Sequence, residues 1–325
     1  MSEKISVNKQ YKEGTPPGIT AGGIKLIAVI AMFIDHFAAS VLFRIVYYKK
    51  HPIYVWMRTN LENYDEVHSV LELLYDIMRY VGRISFPIFC FFIVEGFFHT
   101  RSRWKYALRL FVLALISEIP FDLAIRGKIW DFKYQNVYFT LVIGLLAIWG
   151  IYALSEKFRE DKHQTLRMIL ALGITGIASF LSFLIKTDYS VMGVLAIVMI
   201  YEARVYREGK GAEVVAVCGT GSILFWICRP PADVLFGMIA AVFGIAFLVY
   251  LNKKSNMIKE KMILSGIVIL NMMNLGEVTA LASYPLINFY NGQKGWNSKW
   301  FFYLFYPAHL LIIGLFMLAV GLVKL

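Results

Sequence analysis

Two histidines stand inside long apolar stretches of the chain, where an ionisable side chain is costly and usually has a function. His36 follows Asp35 in the first such stretch, and His309 lies in the last one. An imidazole titrates near neutral pH, so it can take a proton from an amine or a hydroxyl group. We therefore interpret His36 as a candidate general base and His309 as a second candidate catalytic residue.

The carboxyl group beside His36 has to be accommodated as well. Neighbouring residues on a helix point about 100° apart, so Asp35 cannot simply orient His36 from the next position. One of the two must therefore face another helix instead of lipid. Glu118 is a second, more distant candidate to orient the histidine or to pair with a cation. For His309, a hydrogen-bonded packing role is the alternative.

The depths of the two histidines can be compared. With a helical rise of 1.5 Å per residue, His36 lies about 18 Å inside its stretch and His309 about 14 Å inside its own. If the two stretches cross a bilayer about 30 Å thick in opposite directions, these depths are similar. The sequence therefore predicts that the two imidazoles lie at one level.

Further polar residues interrupt the second, third and fourth apolar stretches. Glu95 and Arg109 are expected at one level, and Arg83 and Asp122 at another, which predicts two ion pairs between neighbouring helices. These pairs favour a structural role over a catalytic one. Asn136 opens the fourth stretch. Together with Arg83, Glu95 and Asp122 it is a candidate contact for a substrate.

The composition indicates an integral membrane protein. Of 325 residues, 58% are hydrophobic and 17% charged, whereas a soluble domain carries about 25% charged residues. The net charge of +11 need not indicate nucleic-acid binding, because basic residues of membrane proteins gather in loops. Three cysteines stand apart without a CxxC spacing, so we predict neither a disulfide framework nor a metal site.

The apolar stretches predict an all-α bundle of about ten transmembrane helices. A polar cytoplasmic segment, 1–23, precedes a single bundle domain, 24–325. Residues 60–80 have apolar residues at helical spacing and predict an amphipathic helix lying at the interface. Stretches of about twenty residues can cross a bilayer, and the predicted spans are 24–44, 82–98, 105–125, 136–155, 166–185, 188–205, 212–228, 232–251, 262–282 and 300–323.

The basic loops predict an orientation. Lys and Arg concentrate after spans two, four, six and eight, as in Arg101-Ser102-Arg103, whereas the loops after spans five and seven hold one basic residue each. Cytoplasmic loops carry the excess of positive charge. Both termini are therefore expected in the cytoplasm.

Ordered motifs along most of the chain resemble the TraX family of integral membrane proteins, which is associated with N-terminal acetylation of conjugative pilin. The motifs in this sequence are Met32-Phe33-Ile34-Asp35-His36, Gly82-Arg83-Ile84-Ser85-Phe86-Pro87, Glu95-Gly96-Phe97, Ser117-Glu118-Ile119-Pro120-Phe121-Asp122, Gln135-Asn136-Val137, Asp188-Tyr189, Tyr290-Asn291-Gly292 and Tyr303-Leu304-Phe305-Tyr306-Pro307-Ala308-His309. The first and last stretches also resemble those of integral membrane acyltransferases that acetylate sugars.

The resemblance implies transfer of an acetyl group from cytosolic acetyl-CoA. His36 would then act as general base or transient acetyl carrier, and the donor site would lie between helices. Binding of the coenzyme phosphates is expected from five basic residues on the cytoplasmic side: Lys25, Arg101, Arg103, Lys105 and Arg109. Fixing the topology is the alternative role of the basic loop.

The acceptor is not encoded in the sequence. The resemblance implies an amine or hydroxyl on a pilin-like protein or another cell-envelope molecule, in the plasma membrane of a bacterium. The expected partners are membrane lipid, the acyl-CoA donor and this acceptor, without nucleic acid. A proton-coupled small-molecule transporter and a non-catalytic assembly factor are the competing interpretations, because buried charges also mark ion paths.

Overall fold

The computed structural model describes residues 18–158, 164–205, 279–280, 282–296 and 298–324. In this part of the chain the secondary structure is helical, apart from two isolated bridges, Ile19 with Tyr290 and Gln135 with Thr187. The helices are α1 (Ala21–Phe37), α2 (Phe43–Tyr47), α3 (Pro52–Asn60), α4 (Tyr64–Gly82), α5 (Ser85–His99), α6 (Arg103–Phe121), α7 (Val137–Lys157), α8 (Gln164–Leu184), α9 (Ser190–Val205), α10 (Ser283–Asn288) and α11 (Lys299–Ala319).

Five helical segments among the described residues are long and apolar enough to cross a membrane: Ala21–Tyr47, Tyr64–His99, Val137–Lys157, Thr165–Leu184 and Trp300–Ala319. The all-helical membrane architecture is therefore as predicted, but the count of ten is not confirmed. The span predicted over 105–125 is helix α6, which falls outside this set and contains several charged residues. The span predicted over 188–205 is α9, a shorter apolar helix. The predictions for 212–228, 232–251 and most of 262–282 lie outside the described residues.

Helix α4 runs alongside α1 and belongs to the segment Tyr64–His99, which is long and apolar enough to cross a membrane. This corrects the prediction of an amphipathic helix lying at the interface over residues 60–80. An imidazole nitrogen of His68 lies 3.1 Å from the carbonyl oxygen of Val46, near the end of α2. Near the C-terminal end of α4, Arg79 pairs with Asp35 of α1 at 2.8 Å. The two contacts show that α4 packs antiparallel to the second half of α1 and α2. Val70, Leu74 and Ile77 remain exposed, so the period-3.6 pattern of apolar residues did not identify the face of α4 that packs against α1.

The first and last described helices run parallel. Before α1, the N–H groups of Ala21 and Gly22 donate to the carbonyls of Gln293 and Lys294 at 2.9 and 3.0 Å, just before α11 begins. At the opposite end, Val323 lies against Gly127. Residue 18 and residue 324 are therefore at opposite ends of the bundle.

This arrangement overturns the prediction that both termini lie on the cytoplasmic side. That prediction required α11 to run antiparallel to α1. The predicted orientation depends on the number of spans between α1 and α11. One span too many or too few in the predicted ten reverses the expected direction of every helix that follows it.

Two helical segments each contain a wider π turn, and the two turns lie close to each other. Residues Ala38–Leu42 link α1 to α2, and Asp122–Arg126 extend α6. Such turns leave backbone carbonyls poorly paired and are frequent at functional sites. Arg44 satisfies carbonyls in both: its guanidinium donates to Ser40 at 2.7 Å, to Ala124 at 3.2 Å and to Ile125 at 3.1 Å.

The Arg44 contacts predict a loss of stability on substitution. Arg44→Met keeps a long side chain but leaves three carbonyls without a donor, which should destabilise the protein by about 2 kcal/mol. The measurement is thermal unfolding of detergent-solubilised protein followed by circular dichroism. Arg58→Met is the matched control, since Arg58 is exposed on α3 and should change stability by less than about 0.5 kcal/mol. Equal melting temperatures for the two variants would contradict the assignment.

Candidate active site

A cavity of about 180 Å³ lies between α1, α4 and α5, and the α6–α7 and α8–α9 linkers and α11 complete its wall. Its lining includes the carboxyl groups of Asp35 and Asp188, the guanidinium groups of Arg79 and Arg83, and the imidazole of His36. Pockets for drug-sized ligands occupy roughly 300–1,000 Å³. This cavity is therefore sized for a small reacting group and not for a whole coenzyme.

The two histidines predicted to share a level are in direct contact. His36 Nδ1 lies 2.7 Å from His309 Nε2, and the two rings are within 14° of parallel. Both side chains are buried, with 9% and 3% of their surface exposed. The prediction of similar depth is confirmed, although the helices that carry the residues run parallel. A separation this short leaves no room for a metal ion between the two nitrogens.

The hydrogen bonds define which nitrogen carries each proton. His309 Nδ1 lies 2.7 Å from the backbone carbonyl of Phe305, and a carbonyl can only accept. The Nδ1 of His309 therefore carries hydrogen, and in a neutral ring its Nε2 accepts. His36 Nδ1 must then donate to His309, which leaves the lone pair of His36 on Nε2. Burial without a hydrogen-bonded carboxylate favours neutral rings, since an unpaired buried charge is costly.

Asp35 turns away from its neighbour and faces α4. Its Oδ2 pairs with Arg79 at 2.8 Å, and its Oδ1 is buried without a hydrogen-bond partner among the described residues. A Cβ atom on Gly82 would lie 2.2 Å from the Asp35 Cβ, so only glycine allows this approach. Asp35 lines the cavity, where it pairs with the cation Arg79 and does not orient His36.

Asp188 and Arg79 were not identified as site residues from the sequence. The Tyr134 hydroxyl donates to Asp188 Oδ1 at 2.8 Å, and the Tyr189 N–H donates to the same oxygen at 3.1 Å. Burial and the neighbouring carboxylate raise the pKa of Tyr134, which keeps its hydroxyl protonated as the donor. The only sequence signal for Asp188 was its place in a family-like dipeptide.

The α8–α9 linker that carries Asp188 has an unusual backbone. Lys186, Tyr189 and Ser190 have φ angles of 56°, 58° and 36°, in the left-handed region that non-glycine residues seldom occupy. The Tyr189 ring stacks on Phe86 with centroids 3.7 Å apart, and both rings line the cavity. Backbone strain of this kind persists where surrounding contacts hold it, often at functional sites.

Glu118 and Asn136 form a separate pair next to the cavity. The Asn136 side-chain amide donates to Glu118 Oε2 and, at 2.8 Å, to the carbonyl of Ala114. The Asn136 Oδ1 accepts from the Tyr138 N–H at 3.0 Å and so caps α7. The carboxylate thus lies at the positive end of α7, where it is favourable. The structure gives Glu118 a partner in Asn136 and does not bring it to His36.

The two predicted ion pairs between the second and third stretches are wrong. Glu95 Oε1 pairs with Arg204 of α9 at 3.0 Å, while Arg109 is exposed and donates to the carbonyl of Lys105. Asp122 accepts from the Asp131 N–H at 2.6 Å, while its expected partner Arg83 lines the cavity. Matching depth did not identify partners because it does not determine which way each side chain faces.

The predicted coenzyme residues lie away from the cavity. Arg101, Arg103 and Lys105 follow the far end of α5, whose first turn lines the cavity, so a helical rise of about 20 Å separates them. The Arg103 guanidinium lies over the Tyr152 ring at 4.0 Å. Lys25 lies over the Phe92 ring at 4.6 Å, between the two regions.

Comparisons with known proteins agree with the resemblance seen in the motifs. A probable fimbrial assembly protein FimC, serogroup H1, of Dichelobacter nodosus is 25% identical over 300 residues, which cover 89% of this chain and 92% of that protein. No solved structure matches the chain. The family described as TraX protein matches residues 21–317, a range that contains the helices of the cavity and both histidines. The chain therefore belongs to the TraX family.

Proposed function

We propose that this protein is a bacterial plasma-membrane acetyltransferase that moves an acetyl group from acetyl-CoA to an amine or hydroxyl acceptor. The observation that carries the proposal is the hydrogen-bond chain from the Phe305 carbonyl through His309 to His36. It leaves a basic nitrogen, His36 Nε2, on a side chain that lines a small polar cavity. Such a nitrogen, held in one tautomer, is what a general base requires.

The transfer itself needs few groups. His36 Nε2 removes a proton from the acceptor nitrogen or oxygen as that atom forms a bond to the thioester carbonyl carbon. The carbon–sulfur bond then breaks, and the coenzyme leaves as a thiolate or, with the proton returned by His36, as a thiol. His309 stabilises the imidazolium of His36 that forms between these steps. The positive charges of Arg79 and Arg83 favour the negative charge that develops in the cavity.

The donor is best accommodated with its thioester in the cavity and its phosphates outside. The cavity admits a small group, and the basic residues Arg101, Arg103 and Lys105 lie at the other end of α5. An extended arm would cover the rise of about 20 Å between them. Lys25, which lies between the two regions, would then contact that arm. This arrangement also makes the end of the bundle where α1 begins the cytoplasmic end.

A fimbrial or pilin-like protein is the favoured acceptor. The family's association with pilin supports an N-terminal amine, and the relative in Dichelobacter nodosus is named a probable fimbrial assembly protein. That name equally favours a second candidate function, a membrane assembly factor without catalysis. The two functions differ in one observable, which is the transfer of label from acetyl-CoA to another molecule.

The proposal predicts that His36→Gln abolishes acetyl transfer. Glutamine retains a hydrogen-bonding side chain but cannot act as a base, so kcat should fall by about 10²–10⁴-fold. The measurement is incorporation of radiolabelled acetyl groups into envelope extract by purified protein in liposomes. His99→Gln is the matched control, because His99 lies partly exposed at the end of α5, and it should retain activity.

Three outcomes separate the functions. Label transfer by the wild type that His36→Gln leaves unchanged would remove His36 as the base. Failure of the folded wild type to bind acetyl-CoA or to transfer label, with pilus assembly dependent on the gene, would favour the assembly factor. Proton flux in the same liposomes without transfer would favour a transporter.

The histidine pair predicts a non-additive result. His309→Leu removes the acceptor that holds the proton on His36 Nδ1, so kcat should fall by roughly 10-fold to 100-fold with little change in KM. Because both residues act as one unit, the double variant with His36→Gln should be no slower than His36→Gln alone. Losses that multiply would show that the two histidines act independently.

A further inference from the structure

The hydroxyl group of Tyr306 has no assigned role and an unusual environment. Tyr306 lies on α11, one helical turn before His309, and only 2% of its surface is exposed. Its hydroxyl oxygen is buried without a completed hydrogen bond to any described residue. A buried polar atom left unpaired costs free energy and calls for an explanation. The side chain lines the cavity, so a bound molecule could supply the missing partner.

The ring of Tyr306 is held firmly against the histidine pair. Its centroid lies 5.7 Å from that of His36 and 5.6 Å from that of His309, both in edge-to-face geometry. On another side, the Tyr138 ring packs against it at 4.9 Å. These contacts fix the ring, and therefore the hydroxyl, relative to the base.

A backbone donor lines the same cavity as the hydroxyl. Val137 is the first residue of α7, and it lines this cavity together with Tyr306. The first N–H groups of a helix have no partner within the helix, and that end carries a partial positive charge. The cap made by Asn136 satisfies the N–H of Tyr138 at 3.0 Å and not that of Val137.

We propose that the Tyr306 hydroxyl and the Val137 N–H form an oxyanion hole for the thioester carbonyl in the cavity that the base His36 also lines. This inference rests on the proposed function. As the acceptor nitrogen or oxygen bonds to the carbonyl carbon, the carbonyl oxygen becomes an oxyanion and accepts hydrogen bonds from both donors. No proton moves from tyrosine. When the carbon–sulfur bond breaks, the carbonyl reforms and the coenzyme sulfur leaves with the electron pair.

Tyr306→Phe tests the proposal, because it deletes the hydroxyl and keeps the ring. Loss of one oxyanion donor should lower kcat by about 10²–10³-fold, with KM changed by less than roughly 3-fold. The melting temperature of the ligand-free protein should stay equal or rise, because the variant removes an unpaired buried hydroxyl. A hydroxyl with a structural role would instead lower the melting temperature when removed.

Tyr303→Phe is the matched control. Tyr303 lies one turn earlier on α11 and does not line the cavity. The Tyr303→Phe variant also loses one hydroxyl group, and its kcat should stay within roughly 2-fold of the wild type. If the wild type transfers acetyl groups and Tyr306→Phe does so equally fast, the oxyanion-hole assignment fails and the proposed function stands. If the folded wild type transfers nothing, the proposed function fails and this inference fails with it.

Discussion

The arrangement of the cavity depends on one hydrogen bond, between the imidazoles of His36 and His309. It joins residues 273 positions apart at 2.7 Å, in a helix bundle whose surroundings are largely apolar. In such a setting a polar group must find its partner within the protein. The pair therefore ties α1 to α11 and, through the Phe305 carbonyl, fixes the protons on both rings. In the proposed acetyl transfer, the same contact holds His36 in the tautomer that a general base requires.

The same constraint explains the rest of the cavity wall. Asp35 pairs with Arg79, and Asp188 accepts a hydrogen bond from Tyr134. These contacts fix the positions of the ionisable side chains in the cavity wall. The glycine at position 82 and the strained linker at 186–190 are local costs of bringing these groups together. Preorganised charges and dipoles of this kind act without reorganisation when charge develops in a reaction.

The sequence predicted which polar residues lie at the cavity better than it predicted the contacts that these residues make. His36, His309, Asp35 and Arg83 were all identified, because a polar residue in an apolar stretch is visible without a structure. Asp188 was missed as a site residue, since a carboxylate in a linker is usually solvated. Helix direction failed for a related reason: apolar composition shows that a segment crosses the membrane, but only a contact such as that between Ile19 and Tyr290 shows which way.

The tautomers of the two histidines can be measured directly. In ¹⁵N-labelled protein reconstituted in lipid, imidazole nitrogen shifts and two-bond proton–nitrogen correlations distinguish a protonated from an unprotonated nitrogen at each ring. We predict that His36 and His309 are both neutral, with hydrogen on Nδ1 and a lone pair on Nε2. Hydrogen on His36 Nε2 in the resting protein, or a charged ring at either position, would contradict the central claim.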